Sequence, residues 1–225
     1  STIENNIATT HGGGIYTRYV NSSIFNDTIL QNNKASGSGG GIYSTSTNAN
    51  WTFTNTSIVS NEASGSGGGI YSTSTNANFK FVSSYILSNK ANGGSGGGIY
   101  SSSASSNFEF VNSNVSSNIS SGSGGGIYST STNANFKFVN SYILSNKANG
   151  GSGGGIYSSS NQLSDITIEA SNVKYNTATG GSGGGIYSSG INSSLKFIYS
   201  HIVSNTATSH GGGIYSSGST SSIIS

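Results

Sequence analysis

Short runs of alternating apolar and polar residues return along the whole chain at a nearly fixed interval. Phe136-Lys137-Phe138 is one, and the same alternation recurs at Trp51-Thr52-Phe53, Phe79-Lys80-Phe81, Phe108-Glu109-Phe110, Ile166-Thr167-Ile168 and Leu195-Lys196-Phe197. A period of two is the mark of a half-buried strand. A second apolar stretch follows, such as Tyr142-Ile143-Leu144, and then Ser145-Asn146-Lys147-Ala148. A Gly/Ser turn closes the unit on Gly-Gly-Gly-Ile-Tyr. That pentapeptide occurs eight times, starting at Gly12, Gly39, Gly67, Gly96, Gly124, Gly153, Gly183 and Gly211. No segment carries the i, i+3, i+4 pattern of an amphipathic helix.

A period of 27–30 residues maintained over 225 residues predicts a repeat architecture. Each unit reads as three short strands joined by turns, and one unit alone cannot bury its apolar face. Stacked units can, which predicts an all-β fold: a parallel β-helix solenoid of about eight coils, each rising by about 4.8 Å. The rod would be about 38 Å long, with residues 1–225 forming one array. Stacking predicts an internal ladder of Ile15, Ile42, Ile70, Ile99, Ile127, Ile156, Ile186 and Ile214. The aromatic strand supplies a second ladder, and Ile86, Val115, Ile143, Val173 and Ile202 a third. Neither end reads as a cap, so the array is expected to be a segment of a longer one or a unit that stacks end to end.

Two further residues recur in every coil. Asparagine stands before each glycine triplet, at Asn6, Asn33, Asn61, Asn89, Asn118, Asn146, Asn176 and Asn205. Asn tolerates left-handed corners and bonds local backbone, and in register its amides can form a ladder. Tyrosine follows each isoleucine, at Tyr16, Tyr43, Tyr71, Tyr100, Tyr128, Tyr157, Tyr187 and Tyr215. With Ile inward, alternation sends these eight outward. They form either an interaction stripe for sugars, a partner protein or a neighbouring rod, or a row packed over the glycine turns.

Gly125-Gly126-Ile127 with its flanking Gly124, and Ile143-Leu144-Ser145-Asn146, recur coil after coil. They resemble the Gly-Gly-Ala-Ile and Phe-x-x-Asn motifs of the polymorphic outer-membrane-protein repeat of bacterial surface adhesins. The chain departs from that pattern in having Gly for Ala, and Ile or Val for Phe. The resemblance implies a secreted, surface-exposed, right-handed β-helix used for adhesion or display. Residues 65–101 and 122–158 are a copied pair of coils that differ only at Ser83 and Asn140, as expected of a protein that gains length by copying.

Composition narrows the chemistry. Without cysteine there is no disulfide framework or thiolate metal site. Charged residues are 6% of the chain with a net charge of +2, too few and too scattered for a nucleic-acid footprint or a polybasic membrane patch. No apolar run is long enough to span a bilayer, so no membrane insertion by this segment is expected. The glycine runs lack the Gly-Lys-Ser/Thr of a phosphate loop and the Asp of calcium-binding β-rolls, so no cofactor is expected. Glycan-cleaving enzymes need clustered carboxylates, but the acids are dispersed as Glu4, Asp27, Glu62, Glu109, Asp165 and Glu169. Asp165 and Glu169 share a coil but lie about 13 Å apart along an extended strand. Glu109 is explained by Lys80 and Lys137 on neighbouring coils. His11, His201 and His210 lack a third metal ligand, so no metal site is expected.

Ser-Thr-Ser-Thr at residues 44–47, 72–75 and 129–132 does not recur in every coil, which argues against an ice-binding lattice. N-glycosylation acceptors stand at Asn21, Asn26, Asn50, Asn55, Asn114 and Asn192. Asn118 is a seventh acceptor in sequence, but a glycan would be hard to seat within the ladder. The sequence thus predicts a non-enzymatic extracellular or cell-surface β-helix forming a filament, stalk or fibre, self-associating end to end or laterally. The alternative is an adhesin that binds carbohydrate or host protein through its Tyr/Ser/Thr face.

Overall fold

The coil after the fifth glycine triplet winds through four strands: Ile127–Ser129, Asn133–Val139, Tyr142–Leu144 and Lys147–Ala148. The computed structural model describes residues 1–218, 220 and 222–224. Among these residues, equivalent strands of successive coils pair in parallel into four eight-stranded sheets, in strict coil order. The sequence pattern predicts three strands per coil; the fourth is the two-residue Lys-Ala step. Two residues are too short to show a period, yet each pairs in register, as Glu62 with Lys90 and Ala63 with Ala91.

Register follows from burial. In Asn133–Val139 the side chains of Ala134, Phe136 and Phe138 are buried and those of Asn135 and Lys137 are exposed. A slip of one residue would expose every ring. The long-strand sheet therefore carries two inner columns. One runs Trp51, Phe79, Phe108, Phe136, Ile166, Leu195, and the other Phe53, Phe81, Phe110, Phe138, Ile168. The rings stack coil on coil, with centroids 4.6 Å apart for Phe53–Phe81 and 4.6 Å for Phe110–Phe138. Facing them are the Ile column of the Ile-Tyr sheet and a column of Leu30, Ile58, Ile86, Val115, Ile143 and Val173 on the three-residue sheet.

Glycine is required where the chain turns into the Ile-Tyr strand. The first glycine of each triplet has φ between 62° and 68°, a conformation that costs other residues more. The middle one is limited by space: a Cβ on Gly125 would lie 2.5 Å from the Gly154 carbonyl oxygen and 2.5 Å from the Lys147 nitrogen. On Gly126, a Cβ would come within 2.6 Å of the Gly155 oxygen. At that spacing even the alanine of the Gly-Gly-Ala-Ile motif would force the coils apart.

Because Phe138 is fully buried, with Phe110 stacked on one side and Ile168 on the neighbouring coil at the other, Phe138→Ala should cost about 3–5 kcal/mol. Its exposed neighbour in Lys137→Ala should change stability by less than about 0.5 kcal/mol. Urea denaturation of the two variants checks both values.

Candidate functional site

The recurrent asparagines stand at the corner between the three-residue and Lys-Ala sheets, and Asn33, Asn61, Asn89, Asn118, Asn146 and Asn176 are buried inside the coil. Asn146 illustrates their bonding. Its Oδ1 accepts from the backbone N–H of Asn118 at 3.0 Å and from Asn118 Nδ2 at 3.0 Å. Its Nδ2 donates to Asn176 Oδ1 at 2.9 Å and to the Val115 carbonyl at 2.9 Å. The same pattern links Asn33, Asn61, Asn89, Asn118 and Asn176, with Asn6 and Asn205 at the two ends. The ladder residue is not itself left-handed, contrary to the expectation from sequence. The positive φ belongs to the residue before it, Asn32, Ser60, Ser88, Ser117, Ser145 or Tyr175. The Asn side chain is needed because an amide both donates and accepts.

Serine forms two further ladders that the sequence did not disclose. At the other corner, the N–H of Thr56 donates to Ser84 Oγ, that of Ser84 to Ser113 and that of Ser113 to Ser141. Before each glycine triplet, Ser66, Ser95, Ser123, Ser152 and Ser182 donate their N–H to the Ser Oγ of the preceding coil. His11 and His210 stand in this second column: Ser38 N–H donates to His11 Nδ1 at 2.9 Å, and His210 N–H to Ser182 Oγ at 3.2 Å. In a chain so rich in serine, a fixed column has no contrast against its background.

The eight tyrosines that follow isoleucine form a continuous stack on the outer face of the Ile-Tyr sheet. Neighbouring ring centroids lie 4.7–5.2 Å apart from Tyr16 to Tyr215. The His11 ring adds to the first end, 4.5 Å from Tyr43. Tyr16 is exposed, whereas Tyr43, Tyr71, Tyr100, Tyr128, Tyr157, Tyr187 and Tyr215 are half-buried. Their ring faces are occupied by one another, so the stripe offers solvent edges and hydroxyls. Burial pushes the phenols of Tyr71 and Tyr128 up to about 12, with neighbouring tyrosines adding to the shift.

The outward charges stack with alternating sign. Lys80 and Glu109 approach to 2.9 Å and Lys34 and Glu62 to 3.4 Å. Glu62 is held below the usual carboxylate range, first by a hydrogen bond from Asn92 and then by Lys34 and Lys90. Partial burial raises Asp165. Asp165 and Glu169 lie on one strand, Leu163–Glu169. Among the described residues no three His, Cys, Asp or Glu side chains gather as a metal site, and no helix is long and apolar enough to cross a membrane. Of the acceptor asparagines, Asn21, Asn26, Asn50, Asn55 and Asn192 are exposed, Asn114 is half-buried and Asn118 is fully buried.

Residues 1–18 and 27–45 match the family model described as the Chlamydia polymorphic membrane protein repeat. Those stretches hold Ile3-x-x-Asn6 and Leu30-x-x-Asn33 with the two glycine triplets that follow, the elements that make the ladder and the close-packed turn. Over these two stretches the chain is similar to that repeat, and the parallel solenoid around them fits a repeat β-helix. No curated protein and no solved structure matches the chain.

Two outcomes follow from the ladders. Asn146→Ala would leave the buried N–H of Asn118 without its acceptor and remove one hydrogen bond each from Asn118 Nδ2, the Val115 carbonyl and Asn176 Oδ1. It should therefore cost about 3 kcal/mol or more in chemical denaturation. The tyrosine stack predicts an alkaline limit. Unfolded Tyr loses its proton near 10, whereas folded Tyr71 and Tyr128 keep theirs to about 12. The unfolded state thus binds fewer protons between these values, and stability falls as pH rises from 10 to 12. Tyrosinate absorbance followed alongside circular dichroism checks this; a full set of tyrosines titrating near 10 in still-folded protein would contradict it.

Proposed function

We propose that the chain is a rigid, non-catalytic rod displayed at a cell surface, serving as a stalk or fibre that sets distance and presents periodic outer faces. The observation that carries this reading is the unbroken register of four parallel sheets through every coil. Recurrent side chains are committed to stacking: Ile, Phe and Asn inside, Ser at the corners and Tyr along one edge. Stacking of this kind gives a rod whose length scales with coil number. The acids are paired with lysines or dispersed along the rod, which favours a scaffold over a reaction centre.

Adhesion is the second reading. It is favoured by tyrosines outside the stacked column, among them Tyr85, Tyr142, Tyr175 and Tyr199, which are exposed on the outer surface. Antibodies raised against residues 65–158 and applied to cells that make the protein test display. Labelling of intact cells is expected. Labelling that requires permeabilisation would refute surface display.

A further inference from the structure

The outer face of the three-residue sheet carries a column in which the residue type changes from coil to coil. Successive coils place Ser57, Tyr85, Asn114, Tyr142, Asn172 and His201 in direct register. Tyrosine and asparagine therefore alternate, and like side chains are two coils apart. In the glycine-triplet column each Tyr ring covers the next. Here Tyr85 and Tyr142 are 51% and 45% exposed, and neither ring stacks on another aromatic ring among the described residues. A recess of about 320 Å³ lies between them, lined by Tyr85, Asn112, Ser113, Asn114, Asn140 and Tyr142.

Asn114, which lines this recess, carries an unmet acceptor. Asn114 Oδ1 is buried and accepts no hydrogen bond, and the same is true of Asn172 Oδ1 two coils on. Elsewhere on the surface, stacked amides satisfy each other, as Asn76 Nδ2 does with Asn48 Oδ1 at 2.8 Å. Asn114 has no amide one coil away, because its register partners are tyrosines. A buried acceptor without a partner is costly, and turning the amide toward the recess would let a ligand hydroxyl or amide N–H relieve it. At the rim, Asn140 Nδ2 donates to Asn112 Oδ1 at 2.6 Å, which leaves further amide donors and acceptors for a ligand.

We propose that this column is a row of saccharide-binding slots. In the first slot a pyranose ring lies between Tyr85 and Tyr142 with a hydroxyl on Asn114 Oδ1. The second lies between Tyr142 and His201 over Asn172. Two coils separate the aromatic side chains of a slot by about 9.6 Å. Carbon contacts of about 3.5–4.0 Å on each face would leave a flat aromatic ligand loose, whereas a puckered saturated ring fills the gap. No charged residue lines the first recess, so the ligand is a neutral glycan. The two slots share Tyr142 and lie in line along the rod, as successive sugars of one linear chain would. This inference goes beyond the rod reading, because purified protein tests it wherever the chain is displayed.

The experiment is titration calorimetry with saturation-transfer NMR on protein made in the bacterial cytosol, which leaves Asn114 unmodified. The probes are neutral tetramers of glucose, galactose, mannose and N-acetylglucosamine. Saturable binding of at least one tetramer is expected, with transfer strongest at its ring C–H protons. Tyr142→Asn installs the residue that the neighbouring coils carry in the same column, so the fold should be kept. It should weaken binding by about tenfold or more. Asn114→Val should weaken it as well, with melting midpoints near wild type recorded for both. If no tetramer binds, or if Tyr142→Asn binds as tightly as wild type, the slots are refuted.

Discussion

The rod depends on a backbone-to-backbone approach that leaves no room for a methyl group. At the middle glycine of every triplet but the last, the next coil's carbonyl oxygen and its short Lys-Ala-type strand occupy the place where a side chain would begin. That contact sets the local spacing of the coils, and the hydrogen bonds on either side require the same spacing. The N–H of Gly125 reaches the Gly153 oxygen at 3.2 Å and that of Ile127 reaches the Gly155 oxygen at 2.9 Å. Every column inherits this distance. It is short enough for rings to stack and for one amide to bond the next, so Phe, Tyr and Asn can each repeat on themselves.

Much of this was legible in the sequence. The glycine triplet, the alternating aromatic strand and the inner Ile column were plain because each has a composition that contrasts with its surroundings. The fourth strand was not, since Lys-Ala is two residues long and its pairing is visible only once the coils are in register. The serine ladders were hidden by the abundance of serine. The role of Asn146 was half legible: its recurrence marked a corner, but the left-handed turn falls on Ser145. Alternation put Tyr128 on the outer face, but it could not say that the ring faces would be consumed by Tyr100 and Tyr157. Whether a ring is free depends on what the neighbouring coil places beside it.

Two tyrosine columns on one rod therefore do different work. Where Tyr repeats in every coil, the rings cover each other, and Tyr71 and Tyr128 resist ionisation. Where Tyr alternates with Asn, the rings are uncovered and the amide between them loses its partner. The difference is one of period along the rod axis, two coils against one. The lysines follow the longer period as well: Lys80 and Lys137 flank Glu109 in one column, and Lys34 and Lys90 flank Glu62 in another.

The near-identical segments 65–101 and 122–158 are offset by two coils. Genetic exchange between such copies would insert or remove coils in pairs, which keeps every inner column in phase and leaves the folding problem unchanged. It would also preserve the alternation of Tyr85, Asn114 and Tyr142, because the exchanged unit matches that period. A lineage could thus vary the reach of its rod, and with it the number of surface recesses, by recombination alone and without a single new side chain.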